Sequence, residues 1–131
     1  MMPSRSLLIP VGALLCLGTL ASHSNAQQPN RPEKQLRIVF ENDRVLVRDF
    51  VLPPGAITGL HTHQRPELTY SFTNGELRAT IPGEPLQPDR RVAGRAHWRD
   101  VGFTHDVENV GTSKYHALLI ELKEPAGTPL R

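Results

Sequence analysis

Short runs of alternating or β-branched residues are the feature that most restricts the fold of this chain. Between Leu36 and Leu122 such runs are broken every eight to twelve positions by Gly, Pro, Asn or Asp, a spacing typical of antiparallel strands joined by turns. No long helical pattern and no alternation of strands with helices interrupts them, so a parallel sheet is not expected. The sequence predicts an all-β domain, built as a barrel or a sandwich.

Turn residues mark where the expected strands begin and end. Glu41-Asn42-Asp43 predicts the turn of a first hairpin, and Asn74-Gly75 between two alternating runs predicts a second, antiparallel hairpin with a type I′ turn. Three prolines and one glycine in 82–89 predict a loop outside the barrel. Strands are then expected around His61 and His63 and at 36–40, 44–52, 68–73, 76–81, 93–99, 105–110 and 115–122.

The segment 1–26 is predicted to be a signal peptide that is removed from the domain. Arg5 supplies a positive charge, an apolar run follows at 7–20, and Ser24-Asn25-Ala26 fits the small-x-small pattern of a cleavage site. The apolar run is shorter than the roughly 20 residues that span a bilayer as a helix. We therefore expect a periplasmic or secreted protein that starts at Gln27, with no membrane segment after cleavage.

Composition divides the remaining chain into a polar lead-in at 27–35, a β-barrel domain at 36–123 and a tail at 124–131. The single cysteine, Cys16, lies inside the predicted signal peptide, which excludes disulfides and thiolate metal sites from the mature domain. Loss of Arg5 leaves 14 basic and 13 acidic residues. Because this balance gives no strong basic field, no nucleic-acid partner is expected. The basic residues closest together are interpreted as a solvated loop and strand face: Arg90, Arg91, Arg95 and Arg99.

Four residues carry the chemistry of a metal site. His61 and His63 are two positions apart, so on a strand both rings point to the same face. Glu67 reaches the same point if the chain bends at the preceding proline, and His105 follows about forty residues downstream. Three imidazoles and one carboxylate suit a divalent Fe, Mn, Zn, Ni or Co ion and leave positions open for water or substrate.

These residues resemble the first of the two motifs of the cupin superfamily. That motif is Gly, five residues, His-x-His, three or four residues, Glu, six residues, Gly. Gly55, His61, His63 and Glu67 occupy its positions, whereas Asn74 stands where the last glycine is expected. Asparagine tolerates the left-handed backbone of a turn, so this departure is expected to change little.

The second cupin motif is Gly, five residues, Pro-x-Gly, two residues, His, three residues, Asn. Gly94, Gly102, His105 and Asn109 match it, and Asp100 replaces the proline without affecting a ligand. The resemblance covers about 45–122. It implies a small antiparallel, jelly-roll-like β-barrel whose inward ligands hold one metal ion in a pocket open at one end: His61, His63, Glu67 and His105.

The resemblance leaves the function open, because cupins include dioxygenases, isomerases, lyases and non-catalytic binders. One hypothesis is a metal-dependent enzyme acting on a small oxygen-rich molecule, in which Glu67 either ligates the metal or takes a proton, and a non-haem Fe(II) dioxygenase is one form of it. The alternative is a non-catalytic binder of a metal or small ligand. The resemblance also implies a possible homodimer, because cupins commonly dimerise by exchanging N-terminal strands. The segment 36–40 could be the strand that is exchanged.

Strand parity predicts where the other notable side chains point. His97 shares parity with Arg95 and Arg99 and is interpreted as lying on a solvated face or at the barrel rim. Three aromatic side chains could line a substrate pocket but are interpreted as core in a domain this small: Tyr70, Phe72 and Trp98. The inward pocket candidates on the strand after Glu67 are Thr69 and Ser71. Asn109 is expected to satisfy backbone groups near the second-motif turn.

Overall fold

The alternating pattern produces nine β-strands in the part of the chain that the structure describes, residues 31–123 of a computed structural model. The strands are β1 Gln35–Glu41, β2 Val45–Leu52, β3 His61–Thr62, β4 Glu67–Ser71, β5 Gly75–Thr80, β6 Gln87–Arg91, β7 Ala96–Arg99, β8 Thr104–Asn109 and β9 Tyr115–Leu122. Over these same residues no helix is long and apolar enough to cross a membrane. The predicted signal peptide at 1–26 and tail at 124–131 lie outside the described residues.

The nine strands form two antiparallel sheets. One has the order β1-β2-β9-β4-β7, and the other has the order β3-β8-β5-β6. Neighbours such as β2 and β9, or β5 and β8, are far apart in sequence, so the chain crosses repeatedly between the sheets. This arrangement confirms the predicted all-β, antiparallel, jelly-roll-like barrel.

A small apolar core fills the space between the sheets. Phe50 and Tyr115 meet edge to face with ring centroids 6.3 Å apart, and each buried apolar side chain contributes about 1.5–3 kcal/mol relative to an exposed one. The buried core residues come from both sheets: Phe50, Leu52, Ala56, Leu77, Val107, Tyr115 and Ala117.

Asn109 closes this core by satisfying backbone groups, as the sequence predicts. Its side-chain amide donates to the carbonyl oxygens of Leu52 (2.8 Å) and Ser113 (2.9 Å). Its side-chain oxygen accepts the N–H of Gly111 at 3.0 Å. The residue is completely buried, so these bonds replace the water contacts that it loses on folding.

The predicted hairpin at Asn74-Gly75 is wrong. β4 pairs with β7 and β9, whereas β5 pairs with β6 and β8, so this segment connects the two sheets. Neither residue has the positive φ of a type I′ turn, and Asn74 does not adopt the expected left-handed backbone. Its side-chain oxygen instead accepts the N–H of Ala93 at 2.9 Å, which links it to the segment before β7.

The segment predicted as a loop at 82–89 is shorter than expected, because β6 already begins at Gln87. Pro88 lies inside this strand opposite Arg78. A proline is tolerated there because β6 is at the edge of its sheet and needs hydrogen bonds on one side only.

Candidate metal centre

The pairing of β3 with β8 brings the three predicted histidines together. His61 lies directly opposite His105 in this pair. His63 follows β3, and its N–H donates to the carbonyl of Phe103 at 2.9 Å while its own carbonyl accepts the N–H of Gly102 at 2.8 Å. Gly102 has a φ of 84°, which only glycine adopts without strain, so the turn before β8 depends on it.

The three imidazole rings converge in a nearly equilateral arrangement. Their centroids are 4.8–5.1 Å apart, and their candidate ligand nitrogens all lie within 4.8 Å of one another. The Nε2 atoms of His63 and His105 are separated by 2.9 Å. Three nitrogens at this spacing can hold a transition-metal ion.

The protonation of the rings suits metal binding. Burial, followed by the influence of the neighbouring histidines, lowers the pKa of His105 to about 3, and burial lowers the pKa of His63 to about 4. Both rings are therefore neutral near pH 7 and keep a free lone pair. The Nδ1–H of His61 donates a hydrogen bond of 2.8 Å to the carbonyl oxygen of Gly59. Nε2 is therefore the nitrogen of this ring that is available to a metal ion.

Glu67 borders the three histidines without joining their group. Its Oε1 lies 4.0 Å from the Nδ1 of His63 and accepts a long hydrogen bond of 3.5 Å from the hydroxyl of Thr69. Among the described residues, the cluster of converging ligand atoms contains the three histidines and not this carboxylate. Burial raises the pKa of Glu67. Its roles as a ligand and as a base both stay predictions.

A cavity of about 410 Å³ opens beside the histidines and Glu67, which is a usual size for a small-molecule site. Thr69 lines it, as predicted from parity, whereas Ser71 is buried and its hydroxyl lies 2.7 Å from that of Tyr115. The apolar part of the wall is contributed by Phe50, Leu77, Val107 and Leu119.

The orientation predicted for β7 is reversed in the structure. Trp98 is 44% exposed and its Nε1–H donates to Asp100 at 2.8 Å, whereas His97 and Arg99 point towards the interior opposite Thr69 and Glu67. Tyr70 and Phe72 are also exposed, so the assignment of these three aromatic residues to the core is wrong.

Sequence reasoning missed an ionic cluster on β6 and β7. The Nη2 atom of Arg91 lies 2.6 Å from Asp89, and that of Arg99 lies 3.8 Å from the same carboxylate oxygen. Both arginines line the cavity, so the interpretation of a solvated face holds only for Arg90 and Arg95. The sequence did contain a signal for this cluster. Asp89 and Arg91 are two positions apart, like His61 and His63, so on a strand their side chains point to the same face.

The sequence and the fold of this chain are similar to those of known bacterial proteins. The β-alanine degradation protein BauB of Pseudomonas aeruginosa is 31% identical over 94 residues, which cover 71% of this chain and 97% of that protein. A cupin domain from Bordetella pertussis Tohama I is 28% identical with a TM-score of 0.69, covering 74% of this chain and all of the other.

A more distant match concerns the fold alone. The polyketide cyclase RemF from Streptomyces resistomycificus is 18% identical with a TM-score of 0.61, and the match covers 75% of this chain and 70% of that one. No family model matches the sequence.

Proposed function

The chain belongs to the cupin superfamily, and we propose that it is an exported metal-dependent enzyme acting on a small, oxygen-rich organic molecule. The observation that carries the proposal is the convergence of three imidazoles on the wall of a cavity of small-molecule size. Related folds include an enzyme, the polyketide cyclase RemF. The relative from Pseudomonas is named for the degradation of β-alanine, itself a small organic molecule.

The residues that would hold the metal are His61, His63 and His105, with Glu67 as a fourth ligand or as a base beside it. When bound, the ion supplies a Lewis acid, and if it is iron it supplies redox chemistry with O₂. A dioxygenase, an isomerase and a lyase are the reaction types consistent with this donor set. Burial raises the pKa of Glu67, which makes its carboxylate a stronger base than an exposed one.

The alternative is a non-catalytic protein that captures a metal or small ligand in the same cavity. It is favoured by the scarcity of acid–base groups there: Glu121 is already engaged by Arg48 and Arg65, which leaves Glu67 beside the histidines in the described part of the chain. Oxygen uptake and product formation with a panel of small keto acids, phenols and sugars separate the two functions. Ligand binding without turnover across the panel favours the binder.

Elemental analysis tests the metal site. Protein purified without chelator is expected to hold close to one divalent transition metal ion per chain, and His61→Ala is expected to lose it. The matched control is His116→Ala, because His116 lies on β9, away from the cavity, where its ring bonds Asp49 at 2.6 Å. Full metal occupancy in the His61 variant contradicts the assignment.

We also propose export and self-association. Export rests on the signal pattern at 1–26, and mass analysis of the protein from the export compartment is expected to give an N-terminus at Gln27. Association as a homodimer rests on β1, whose apolar side chains remain exposed along the edge of the larger sheet.

A further inference from the structure

Three arginines on the cavity wall carry a buried nitrogen atom that lacks a partner among the described residues: Arg48, Arg91 and Arg99. Arg48 pairs with Glu121, whereas Arg91 and Arg99 are neighbours beside Asp89. The side chain of Arg91 is 9% exposed and that of Arg99 is 17% exposed. Within residues 31–123, no hydrogen-bond acceptor reaches Nε and Nη1 of Arg91 or Nε of Arg99. Buried cationic donors are costly without an acceptor, so these atoms point to a ligand that supplies one.

The charge of this cluster favours an anion. Arg91 and Arg99 reach the same oxygen of Asp89, so two guanidinium groups are neighbours and share one carboxylate. His97 does not balance them: it is half-buried, and this burial together with both arginines lowers its pKa to about 4, so it is neutral near pH 7. The three histidines lie nearby, because Arg99 stacks over Phe103 at 4.9 Å and that ring packs against His105 at 5.0 Å, so a bound metal ion would add further positive charge.

The remaining walls favour an organic molecule over a bare inorganic anion. Phe50, Leu77, Val107 and Leu119 supply apolar surface in the same cavity as the arginines and the histidines. A hydrocarbon segment fits this surface, whereas inorganic phosphate would leave it in contact with water.

We propose that the cavity binds a small organic acid whose carboxylate accepts hydrogen bonds from the unpaired N–H groups of Arg91 and Arg99. The apolar wall contacts its hydrocarbon segment. The inference deepens the proposed function by naming the substrate class, and it rests on that function only for the reaction that the bound acid would undergo. Arginine suits this role because its planar fork of donors matches a carboxylate.

The first test compares two probes of nearly equal shape, propanoate and its neutral amide propanamide, by following amide chemical shifts of the metal-loaded protein at fixed ionic strength. Propanoate is expected to bind, with propanamide weaker by about tenfold or more. This comparison needs no variant, so it does not depend on a substitution that could disturb folding. Equal affinities, or no detectable binding of propanoate, overturn the proposal.

The second test uses Arg91→Lys, which keeps a positive charge for Asp89 but removes the planar fork. Propanoate affinity is expected to fall about tenfold, whereas Arg90→Lys, at the exposed neighbouring position, is expected to bind like the parent protein. Thermal unfolding of both variants checks that the fold is retained. An unchanged affinity in a folded Arg91 variant overturns the proposal.

Repeating the titration after removal of the metal with a chelator separates this inference from the proposed function. Binding that persists without metal and still depends on Arg91 supports the arginine site, even if the chain proves to hold no metal at all. Binding that disappears with the metal and is unaffected by Arg91→Lys places the carboxylate on the metal. That outcome overturns the arginine site and leaves the metal site standing.

Discussion

Burial acts in opposite directions on the side chains of the candidate metal centre. It lowers the pKa of His63 and His105 and raises that of Glu67, because in each case it disfavours the charged form. Neutral histidines are ready to ligate, whereas the raised pKa makes Glu67 harder to convert to the carboxylate that ligates a metal ion. A divalent cation supplies the field that favours this conversion.

Replacing Glu67 with glutamine tests its predicted role as a ligand. The amide keeps the size of the side chain but cannot become anionic, so metal affinity is expected to fall about tenfold or more. A metal titration against a competing chelator measures this change. Glu108→Gln is the matched control, because Glu108 pairs with Arg78 and does not line the cavity. Unchanged affinity together with lost turnover would identify Glu67 as a base rather than a ligand.

His97 makes a separate contribution to the pH dependence of stability. Its pKa in the folded protein is about 4, against an ordinary value of 6.5, because it is half-buried and lies near Arg91 and Arg99, which outweigh Asp89. Between these two values the unfolded chain binds the proton and the folded chain does not. The free energy of unfolding is therefore unaffected by this group above pH 6.5 and falls as the pH decreases towards about 4.

His97→Asn is expected to lessen this loss. Unfolding of the variant should take up about one proton fewer in that pH window, since the contributions of the other histidines are the same in both proteins and cancel. Denaturant titrations near neutral pH and at about pH 5 measure the difference. Equal losses of stability in the two proteins would contradict the assigned state of His97.

At the level of strands, local patterns predicted the elements better than their partners. The all-β class and most strand positions follow from alternation and turn residues, which act within a few positions. The pairing of β4 with β9 and of β5 with β8 joins distant segments, and Asn74-Gly75 carries no information about them. The motif spacing succeeded for the histidines because β3 and β8 pair with His61 opposite His105.

The inverted orientation of β7 has a different cause. Apolar side chains are expected to face inward, which placed Trp98 inside and Arg99 outside. At this end of the barrel the interior is a polar cavity, so the usual rule fails: Arg99 faces inward and stacks over the ring of Phe103 at 4.9 Å. β7 pairs with β4, whose inward side chains Thr69 and Glu67 are polar. The local pattern of β7 does not identify this partner, so it could not reveal the inversion.

The start of β5 is fixed by close packing. A Cβ atom added to Gly75 would lie 2.7 Å from a ring atom of Tyr115, and that ring is buried with its hydroxyl held by Ser71. Gly75→Ala is therefore expected to lower the free energy of unfolding by about 1–3 kcal/mol. The exposed neighbour provides the control, since Glu76→Ala is expected to stay within about 0.5 kcal/mol. Denaturant unfolding compares them, and equal stabilities would refute the packing argument.

Across the whole molecule, the barrel interior changes from apolar to charged along one strand. The inward residues of β9 are Tyr115, Ala117, Leu119 and Glu121, and the last three lie opposite Ser71, Thr69 and Glu67 of β4 in turn. The apolar core lies near the Tyr115 end of β9, whereas Glu67, which borders the candidate metal centre, lies near the Glu121 end. This division explains why the fold was predictable from hydrophobic patterning, whereas the ionic cluster of β6 and β7 was not.

The exposed apolar edge of the larger sheet leads to a prediction about assembly. Leu36, Ile38 and Phe40 are 43%, 58% and 54% exposed on β1, and an apolar edge strand of this kind invites pairing with another chain. Light scattering during size-exclusion chromatography is expected to give twice the mass of one chain. Ile38→Lys should shift the protein to the monomer, because a lysine on an edge strand opposes pairing.

Leu86→Lys provides the matched control for this change. Leu86 is 59% exposed and precedes β6, at the edge of the other sheet, so the same substitution there should leave the dimer intact. A monomeric parent protein at all concentrations, or equal dissociation in both variants, would contradict a role for β1. A dimer that depends on Ile38 alone would instead locate the interface on β1, the strand that the sequence resemblance singles out.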